Sequence, residues 1–119
     1  MNSIILLGAG GHCKSCIDVI ENNNEFVIKG IITKPNDSIK NYMNYKILGN
    51  DNELGKIFSD EDYGLICIGE LGIQEKRIKL YNLLIENNLN IAVVRSNFAV
   101  ISKNSKINKG SIIMHNVVV

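Results

Sequence analysis

The segment that most restricts the fold lies at the start of the chain, where an apolar run leads directly into a cluster of glycines and then into a helical pattern. Residues 3–7 (SIILL) form a continuous apolar run, which is typical of a strand buried on both faces of a parallel sheet. Four apolar residues then follow the spacing of one helix face: Cys13, Cys16, Ile17 and Ile20. Strand, glycine turn and helix in this order predict the first unit of an α/β fold.

Three further apolar runs alternate with segments of helical period. They are FVIKGIIT at 26–33, GLICIG at 64–69 and NIAVV at 90–94. Between them, 41–50 is ambiguous between a loop and a short strand, and Asp51 is placed to cap a short helix over 53–58. Strands that alternate with helices predict right-handed crossovers and a parallel sheet. We therefore expect a small Rossmann-like domain over residues 1–95.

The longest predicted helix covers residues 74–88. Ile78, Tyr81 and Ile85 keep one register of an apolar stripe. Leu80 and Leu84 widen the apolar stripe.

The pattern changes after Phe98. Aliphatic residues recur every six positions, at Ile101, Ile107, Ile113 and Val119. Such hexads are typical of the coils of a parallel β-helix, with the aliphatic side chains pointing inward. An Ile/Val-rich β-hairpin with chance alternation is the alternative. The second predicted unit is residues 96–119, the first coil of a hexapeptide-repeat β-helix.

Composition limits the function classes. A hydrophobic content of 45% with a net charge of +1 is typical of a globular domain and gives no basic field for nucleic acid. No apolar run approaches the length of a membrane span, and the strand-like start argues against a signal peptide, so we expect a cytoplasmic protein. Three cysteines without a regular framework argue against a disulfide-stapled secreted domain.

The glycine segment Gly8-Ala9-Gly10-Gly11-His12 predicts an anion or nucleotide site, because glycine permits close approach of the backbone and the following helix offers free N–H groups. The dinucleotide fingerprint is broken, since Cys13 occupies its third glycine position. Thr33 and Lys34 also replace the acidic residue expected after the second strand. A nicotinamide cofactor is therefore disfavoured. A purely structural turn is the alternative, and His12 is either a ligand contact or an idle first-turn residue.

Cys13 and Cys16 form a C-x-x-C pair at a helix N-terminus, where thiolates are stabilised. Because Cys16 falls on the buried helix face, small core residues are the preferred interpretation over a redox pair. A metal site is weaker still, with His12 and His115 as the available histidines. Gly69-Glu70 and Arg77 lie after the third long strand, where α/β sheets bind ligands. From position alone, a solvated carboxylate and an exposed arginine are the preferred interpretation there.

Taken together, LLGAGGHCKSCIDVI, KILGN, ICIGELGIQEKRIKLYNLL and AVISKNSKINKGSIIMHNVVV resemble the NeuD-type sugar O-/N-acyltransferases, which include sialic acid O-acetyltransferases and bacterial nucleotide-sugar N-acetyltransferases. The resemblance covers essentially the whole chain. It implies a Rossmann-like domain that binds a sugar or nucleotide-sugar, followed by a left-handed β-helix. It also implies a homotrimer formed through the β-helix, with acetyl-CoA bound between subunits as the cosubstrate.

The resemblance further implies a set of substrate-binding residues. They are Gly8, Gly10, Gly11, His12, Gly69, Glu70 and Arg77, and we add Thr33 and Lys34, which occupy the position after the second strand. At three places the sequence departs from the family: Thr33-Lys34 replaces acidic residues, Glu70-Leu71 replaces Asp-Asn, and residues 95–99 replace the usual His-Pro-Ser-Ala. These departures bear on which sugar is bound.

The family's catalytic histidine and its acetyl-CoA groove belong to later β-helix coils, which this chain lacks. His115 aligns where the family tends to have a small residue, so no catalytic residue is predicted. We expect a fragment that forms the substrate-binding part of an acetyl-CoA-dependent sugar acetyltransferase of surface glycan biosynthesis. The alternatives are a non-catalytic nucleotide-binding or assembly module and a nicotinamide-dependent enzyme.

Overall fold

The computed structural model describes residues 1–68 and 74–119. Its strands are β1 Asn2–Leu7, β2 Phe26–Thr33, β3 Asn41–Tyr42, β4 Tyr45–Asn50, β5 Tyr63–Ile66, β6 Asn90–Ile91, β7 Val94–Arg95 and β8 Ile112–Ile113. Its helices are α1 Gly11–Glu21, α2 Leu54–Ile57 and α3 Gln74–Glu86, with a short 3₁₀ turn over Asp51–Glu53.

The main sheet has six strands in the order β3-β4-β2-β1-β5-β6. Every pair in it is parallel except β3 and β4. The central strand β1 is paired on both sides, so that Leu6 lies opposite Ile31 of β2 and Leu65 of β5. The predicted Rossmann-like parallel sheet is therefore confirmed.

The side chains of β1 alternate between two hydrophobic layers. Ile4 and Leu6 pack with the apolar face of α1, while Ile5 and Leu7 pack with Leu84 of α3. All four strand residues are fully buried. This is why the β1 sequence is continuously apolar instead of alternating, since a parallel strand covered on both faces has no solvent-facing side.

The helix predicted over 74–88 is observed as α3, but only part of its predicted apolar stripe is buried. Leu80 and Leu84 are buried, whereas Ile78, Tyr81 and Ile85 are 60%, 38% and 48% exposed. The helix is apolar on two adjoining stripes, so its periodicity alone does not fix its rotation. Packing against Ile5 and Leu7 of β1 selects the leucine stripe.

The ambiguous segment 41–50 forms a β-hairpin. Its turn residues Met43 and Asn44 have positive φ of 50° and 69°, as a two-residue hairpin turn requires. The helical cap that follows lies one residue earlier than predicted. The Asn50 side chain, not that of Asp51, accepts from the backbone N–H of Asn52 at 2.9 Å.

Residues 94–119, here called the C-terminal segment, contain parallel backbone pairs at a constant spacing along the chain. Val94 lies beside Ile112 and Arg95 beside Ile113 in parallel strands, and a parallel bridge joins Val100 to Val118. Each partner is 18 residues, or three hexads, further along the chain. The predicted strand 90–94 is thereby divided, because Val94 belongs to this second sheet. A β-helix requires stacked coils, and the described residues contain only this pairing, so the β-helix stays a prediction.

Side-chain amides attach the C-terminal segment to the α/β unit. Asn23 donates to the carbonyl of Arg95, and Asn97 donates to the carbonyl of Asn22 at 3.1 Å. Both contacts lie at the end of α1. Across the part of the chain that the structure describes, no helix has the length and apolar character needed to cross a bilayer.

Candidate functional site

The carboxyl ends of β1, β2 and β5 converge on one cavity of about 320 Å³. The chain passes from β1 to β2 on one side and later returns to β5 on the other, so β1 marks the topological switch point of the sheet. Open α/β sheets bind ligands at this position. The cavity is lined by Gly8, Ala9, Gly10, Gly11, His12, Thr33, Lys34, Asp37, Cys67, Ile68 and Lys76.

Gly8 and the next two glycines serve different purposes. Gly8 has a φ of +118°, and a Cβ there would lie 2.9 Å from Ile68 Cγ1 and 3.2 Å from the carbonyl oxygen of Cys67. The fold itself therefore requires glycine at position 8. Gly10 and Gly11 have no positive φ, and a Cβ at either would meet nothing within 4 Å. Both glycines are exposed and line the cavity, and packing within the described chain does not require glycine at either position.

The backbone around these glycines presents free donors. The N–H groups of residues 10–12 have no acceptor among residues 1–68 and 74–119, while Gly8 N–H is bonded to Ile32 O at 2.8 Å. The free amides stand at the start of α1, an eleven-residue helix. The positive end of the helix dipole adds to them, so this end of the cavity favours an anion.

A turn after β2 brings a carboxylate into the cavity. Pro35 and Asn36 occupy its centre, Asn36 has a φ of 68°, and Asp37 N–H donates to Lys34 O at 3.4 Å. This is the pattern of a type II turn, which reverses the chain and brings Asp37 beside Lys34. Asp37 was missed because an acid was expected directly at the strand end. The Pro-Asn pair was the signal that could have located it.

His12 is held in a partly desolvated and electropositive environment. Burial lowers its pKa from the ordinary value, and the nearby Arg77 cation lowers it further. Both effects favour the neutral imidazole at pH 7, which can donate one hydrogen bond and accept another.

The structure places some of the other predicted site residues in the first cavity and others outside it. Thr33 and Lys34 line the cavity, whereas Arg77 is not among its lining residues and donates instead to the carbonyl of Ile68. Lys76, one residue earlier on α3, does line the cavity and was missed. Gly69 and Glu70 lie outside the described residues.

A second cavity of about 540 Å³ adjoins the first, and His12 lines both. Its other walls come from α1, the tip of the β3–β4 hairpin and the C-terminal segment. They are Lys14, Ser15, Asp18, Val19, Glu21, Met43, Met114 and His115. This cavity has no glycine loop, so the first cavity is the stronger candidate for anion binding.

The three cysteines are buried free thiols of the core. A hydrogen bond with Cys67 lowers the pKa of Cys16, while hydrogen bonds with Cys13 and Cys16 raise the pKa of Cys67. Buried thiols of this kind are typically inert. Within the described ranges, no group of three or more His, Cys, Asp or Glu side chains could hold a metal ion.

Comparison with known proteins identifies the family of this chain. Residues 3–84 match the family described as the PglD N-terminal domain, a span that contains every described residue of the first cavity. No curated protein matches the chain.

Solved structures of low sequence identity share the fold. A variant of perosamine N-acetyltransferase from Caulobacter crescentus, in complex with CoA and GDP-perosamine, aligns with a TM-score of 0.84 at 20% identity over 100% of this chain and 54% of that one. PerB from the same organism, with the same two ligands, gives 0.84 at 18% identity, also over 100% and 54%. The acetyltransferase domain of PglB from Neisseria gonorrhoeae, in complex with acetyl coenzyme A, gives 0.82 at 16% identity over 98% and 55%. The chain thus spans about half the length of these proteins.

Proposed function

The chain belongs to the PglD N-terminal domain family, and from this premise we propose that it is the substrate-binding part of an acetyl-CoA-dependent acetyltransferase that acts on a nucleotide-sugar in surface glycan biosynthesis. The predicted resemblance to NeuD-type acyltransferases is confirmed at the level of the family. The observation that carries the proposal is the open space at Gly10 and Gly11, beside backbone amides that lack an acceptor in the described chain.

The charges around the cavity suit a diphosphate. Lys34 and Lys76 stand on its walls near the glycine loop, so two cations and a helix N-terminus face the same space. Hydrogen bonds from a lysine ammonium group to a phosphate oxygen are stronger than hydrogen bonds between neutral groups. We assign the diphosphate of the substrate to Gly10, Gly11 and these two lysines.

Asp37 is suited to a hydroxyl group. One carboxylate oxygen, Oδ1, accepts from the backbone N–H of Ile39 at 3.1 Å, and this contact fixes the side chain within its turn. Oδ2 remains as an acceptor for a ribose or sugar hydroxyl, the role that an acidic residue after the second strand has in nucleotide-binding folds.

The remainder of the substrate has room beyond His12. Because His12 lines both cavities, a ligand held at the glycine loop can continue past its imidazole toward Asp18 and Glu21. Gly69, Glu70 and Arg77 complete the proposed substrate-binding set, as the family resemblance implies. Arg77 contributes through the charge that it places near His12.

We propose no catalytic base in this chain. His115 is engaged at both ring nitrogens, with Ser96 Oγ at Nδ1 and Asp18 Oδ2 at Nε2. An imidazole held in this way has no nitrogen free to take the proton of an acceptor amine or hydroxyl. The base and the acetyl-CoA groove are assigned to β-helix coils beyond this chain, and trimer formation is assigned to the same coils.

The hexad spacing supports the β-helix proposal. Parallel partners 18 residues apart, as Val94 and Ile112 are, have the separation expected for one coil of three hexads. Ile101, Ile107 and Ile113 are half-buried, as inward-pointing residues of a coil with one open side would be.

Ligand-induced thermal stabilisation tests the proposal. UDP-, CMP- and GDP-sugars are added to the 119-residue chain, and at least one is expected to raise its Tm. His12→Ala and Gly11→Val should abolish that rise, and Lys34→Ala with Lys76→Ala should reduce it. Lys103→Ala, which removes the same charge from an exposed site away from the cavity, is the matched control. No rise with any nucleotide-sugar would contradict the proposal.

Titration with NADH tests the alternative that the chain is a nicotinamide-dependent enzyme. The third fingerprint glycine is replaced by Cys13, whose side chain is fully buried, so the loop departs from the dinucleotide fingerprint and NADH should not bind. Saturable NADH binding that excludes nucleotide-sugars would favour an oxidoreductase.

A further inference from the structure

Tyr42 reaches the glycine loop from a distant part of the chain. Its hydroxyl donates to the carbonyl oxygen of Gly10 at 2.7 Å, although the two residues are 32 positions apart. Tyr42 ends β3, the edge strand of the sheet, and is not among the lining residues of the first cavity. The contact is therefore made from outside the site, to the backbone of the site.

Gly10 has few other restraints. It is the N-cap residue of α1, in extended conformation, and it has no side chain to form a capping hydrogen bond. Its carbonyl otherwise accepts only the long 3.3 Å bond from Lys14 N–H within the described chain. Glycine has the greatest backbone freedom of any residue, so a loop of this composition needs an external contact to hold one conformation.

The carbonyl of Gly10 determines the direction of the Gly11 amide. Both groups belong to one planar trans peptide unit and point in opposite directions. A carbonyl directed into the helix thus aims the Gly11 N–H out of its N-terminus, the end of α1 that lines the first cavity. The hydroxyl of Tyr42 holds that peptide in place before any ligand arrives.

We infer that Tyr42 is a positioning residue for phosphate binding, which fixes the Gly10–Gly11 peptide so that the Gly11 amide faces the diphosphate. The inference rests on the proposed function, because it concerns the same loop and the same ligand group. Preorganised donors bind an anion more tightly than mobile ones, since the ordering is complete before binding.

The same hairpin supplies a matched control. The Tyr45 hydroxyl donates to Glu21 Oε2 at 2.5 Å, at the opposite end of α1 from the glycine loop. Tyr42→Phe and Tyr45→Phe each remove one hydroxyl that joins the hairpin to α1. Of the two substitutions, only Tyr42→Phe removes a hydrogen bond to the glycine loop.

The experiment measures the Kd of inorganic pyrophosphate, and of whichever nucleotide-sugar stabilises the wild-type chain, for wild type, Tyr42→Phe and Tyr45→Phe. Tyr42→Phe should raise both Kd values about five- to tenfold, the effect of one hydrogen bond. Tyr45→Phe should leave the Kd of pyrophosphate unchanged, because Tyr45 contacts Glu21 at the far end of α1 and not the glycine loop. If Tyr42→Phe binds as wild type does while wild type binds normally, the inference is overturned and the proposed function stands. If wild type binds no nucleotide-sugar, the proposed function falls and the inference falls with it.

A second measurement includes a test on the wild-type chain alone, which does not depend on how well any variant folds. In a ¹⁵N-labelled wild-type chain, pyrophosphate should shift the Gly11 amide resonance and slow its hydrogen exchange. In Tyr42→Phe, the Gly11 resonance should move before ligand is added, whereas it should not move in Tyr45→Phe. A Gly11 amide that does not respond to pyrophosphate in the wild-type chain would overturn the inference.

Discussion

Oδ2 of Asp18 lies 3.0 Å from Nε2 of His115, although 97 residues separate the two along the chain. The contact joins the middle of α1 to the segment after β8. Together with the Asn23–Arg95 and Asn97–Asn22 contacts, it attaches the C-terminal segment to the α/β unit. The role of His115 is thus predicted to be structural.

Replacing His115 with alanine should loosen the C-terminal segment without weakening diphosphate binding. Asp18 is exposed, so its contact with His115 contributes at most about 1 kcal/mol to the free energy of unfolding. Limited proteolysis should show faster cleavage within residues 96–119, and the Kd of pyrophosphate should not change. Loss of pyrophosphate binding in His115→Ala would contradict this assignment.

Alanine substitutions should separate the structural glycine of the loop from the two that face the ligand. Gly8→Ala should destabilise the fold by about 1–3 kcal/mol, because it adds a Cβ at a φ of +118° and in contact with Ile68. Gly11→Ala should leave the free energy of unfolding unchanged or raise it by up to about 1 kcal/mol, since alanine favours the helix.

Urea denaturation and pyrophosphate titration check both variants. Gly11→Ala should bind pyrophosphate more weakly than wild type despite its intact fold. Equal destabilisation by Gly8→Ala and Gly11→Ala would show that both glycines are required by packing.

Binding of a nucleotide-sugar should strengthen as the pH falls. Burial and the Arg77 cation lower the pKa of His12, so the imidazole is neutral at pH 7 and gains its proton only below about pH 6.5. A bound diphosphate favours the protonated form, and its own phosphates do not titrate in this range. Calorimetry between pH 7.5 and 5.5 should show proton uptake on binding, and His12→Ala should lose this uptake.

The stability of the free chain should change in the opposite direction. The folded-state pKa of His12 is lower than its unfolded value, so between these values the unfolded chain binds more protons. The stability contribution is complete above about pH 6.5 and is lost as the pH falls through the folded-state pKa. Urea midpoints of wild type and His12→Ala should therefore converge or cross in acid. Parallel pH profiles would contradict the lowered pKa.

Removing Asp62 should cost more stability than removing its ion-pair partner. Asp62 is 3% exposed and accepts from Lys29 Nζ at 2.9 Å and from the backbone N–H of Ser59 at 2.8 Å. Asp62→Ala removes both hydrogen bonds of this buried carboxylate, and since hydrogen bonds to charged groups are among the stronger ones it should cost about 1–3 kcal/mol. Lys29→Ala should cost less than about 1 kcal/mol, because the lysine side chain is 41% exposed. Asp60→Ala, at an exposed site, is the control, and urea denaturation is the measurement.

The rotation of α3 is tested by two neighbouring substitutions. Leu84 is fully buried, so Leu84→Ala should destabilise the fold by about 2–5 kcal/mol. Ile85 is about half exposed, and Ile85→Ala should change the free energy of unfolding by about 0.5 kcal/mol or less. The reverse order of effects would show that the stripe of Ile78, Tyr81 and Ile85 packs on the sheet instead.

The sequence by itself determined the strand–glycine–helix unit, the alternation of strands and helices, and six residues that line the first cavity. These follow from short-range rules. Periodicity shows whether β1 is covered on both faces, and residues directly after parallel strands meet at one sheet edge whatever the rest of the chain does. Gly8, Gly10, Gly11, His12, Thr33 and Lys34 could be found for that reason.

Only the tertiary structure decided the rest. Asp37 enters the cavity because a type II turn reverses the chain, and Lys76 lines it because α3 docks through Leu80 and Leu84. Tyr42 meets Gly10 because β4 pairs with β2 and carries the edge strand β3 toward α1. Each of these contacts depends on turn geometry, helix rotation or strand order. Those quantities are set by packing between segments distant in sequence, which no local pattern encodes.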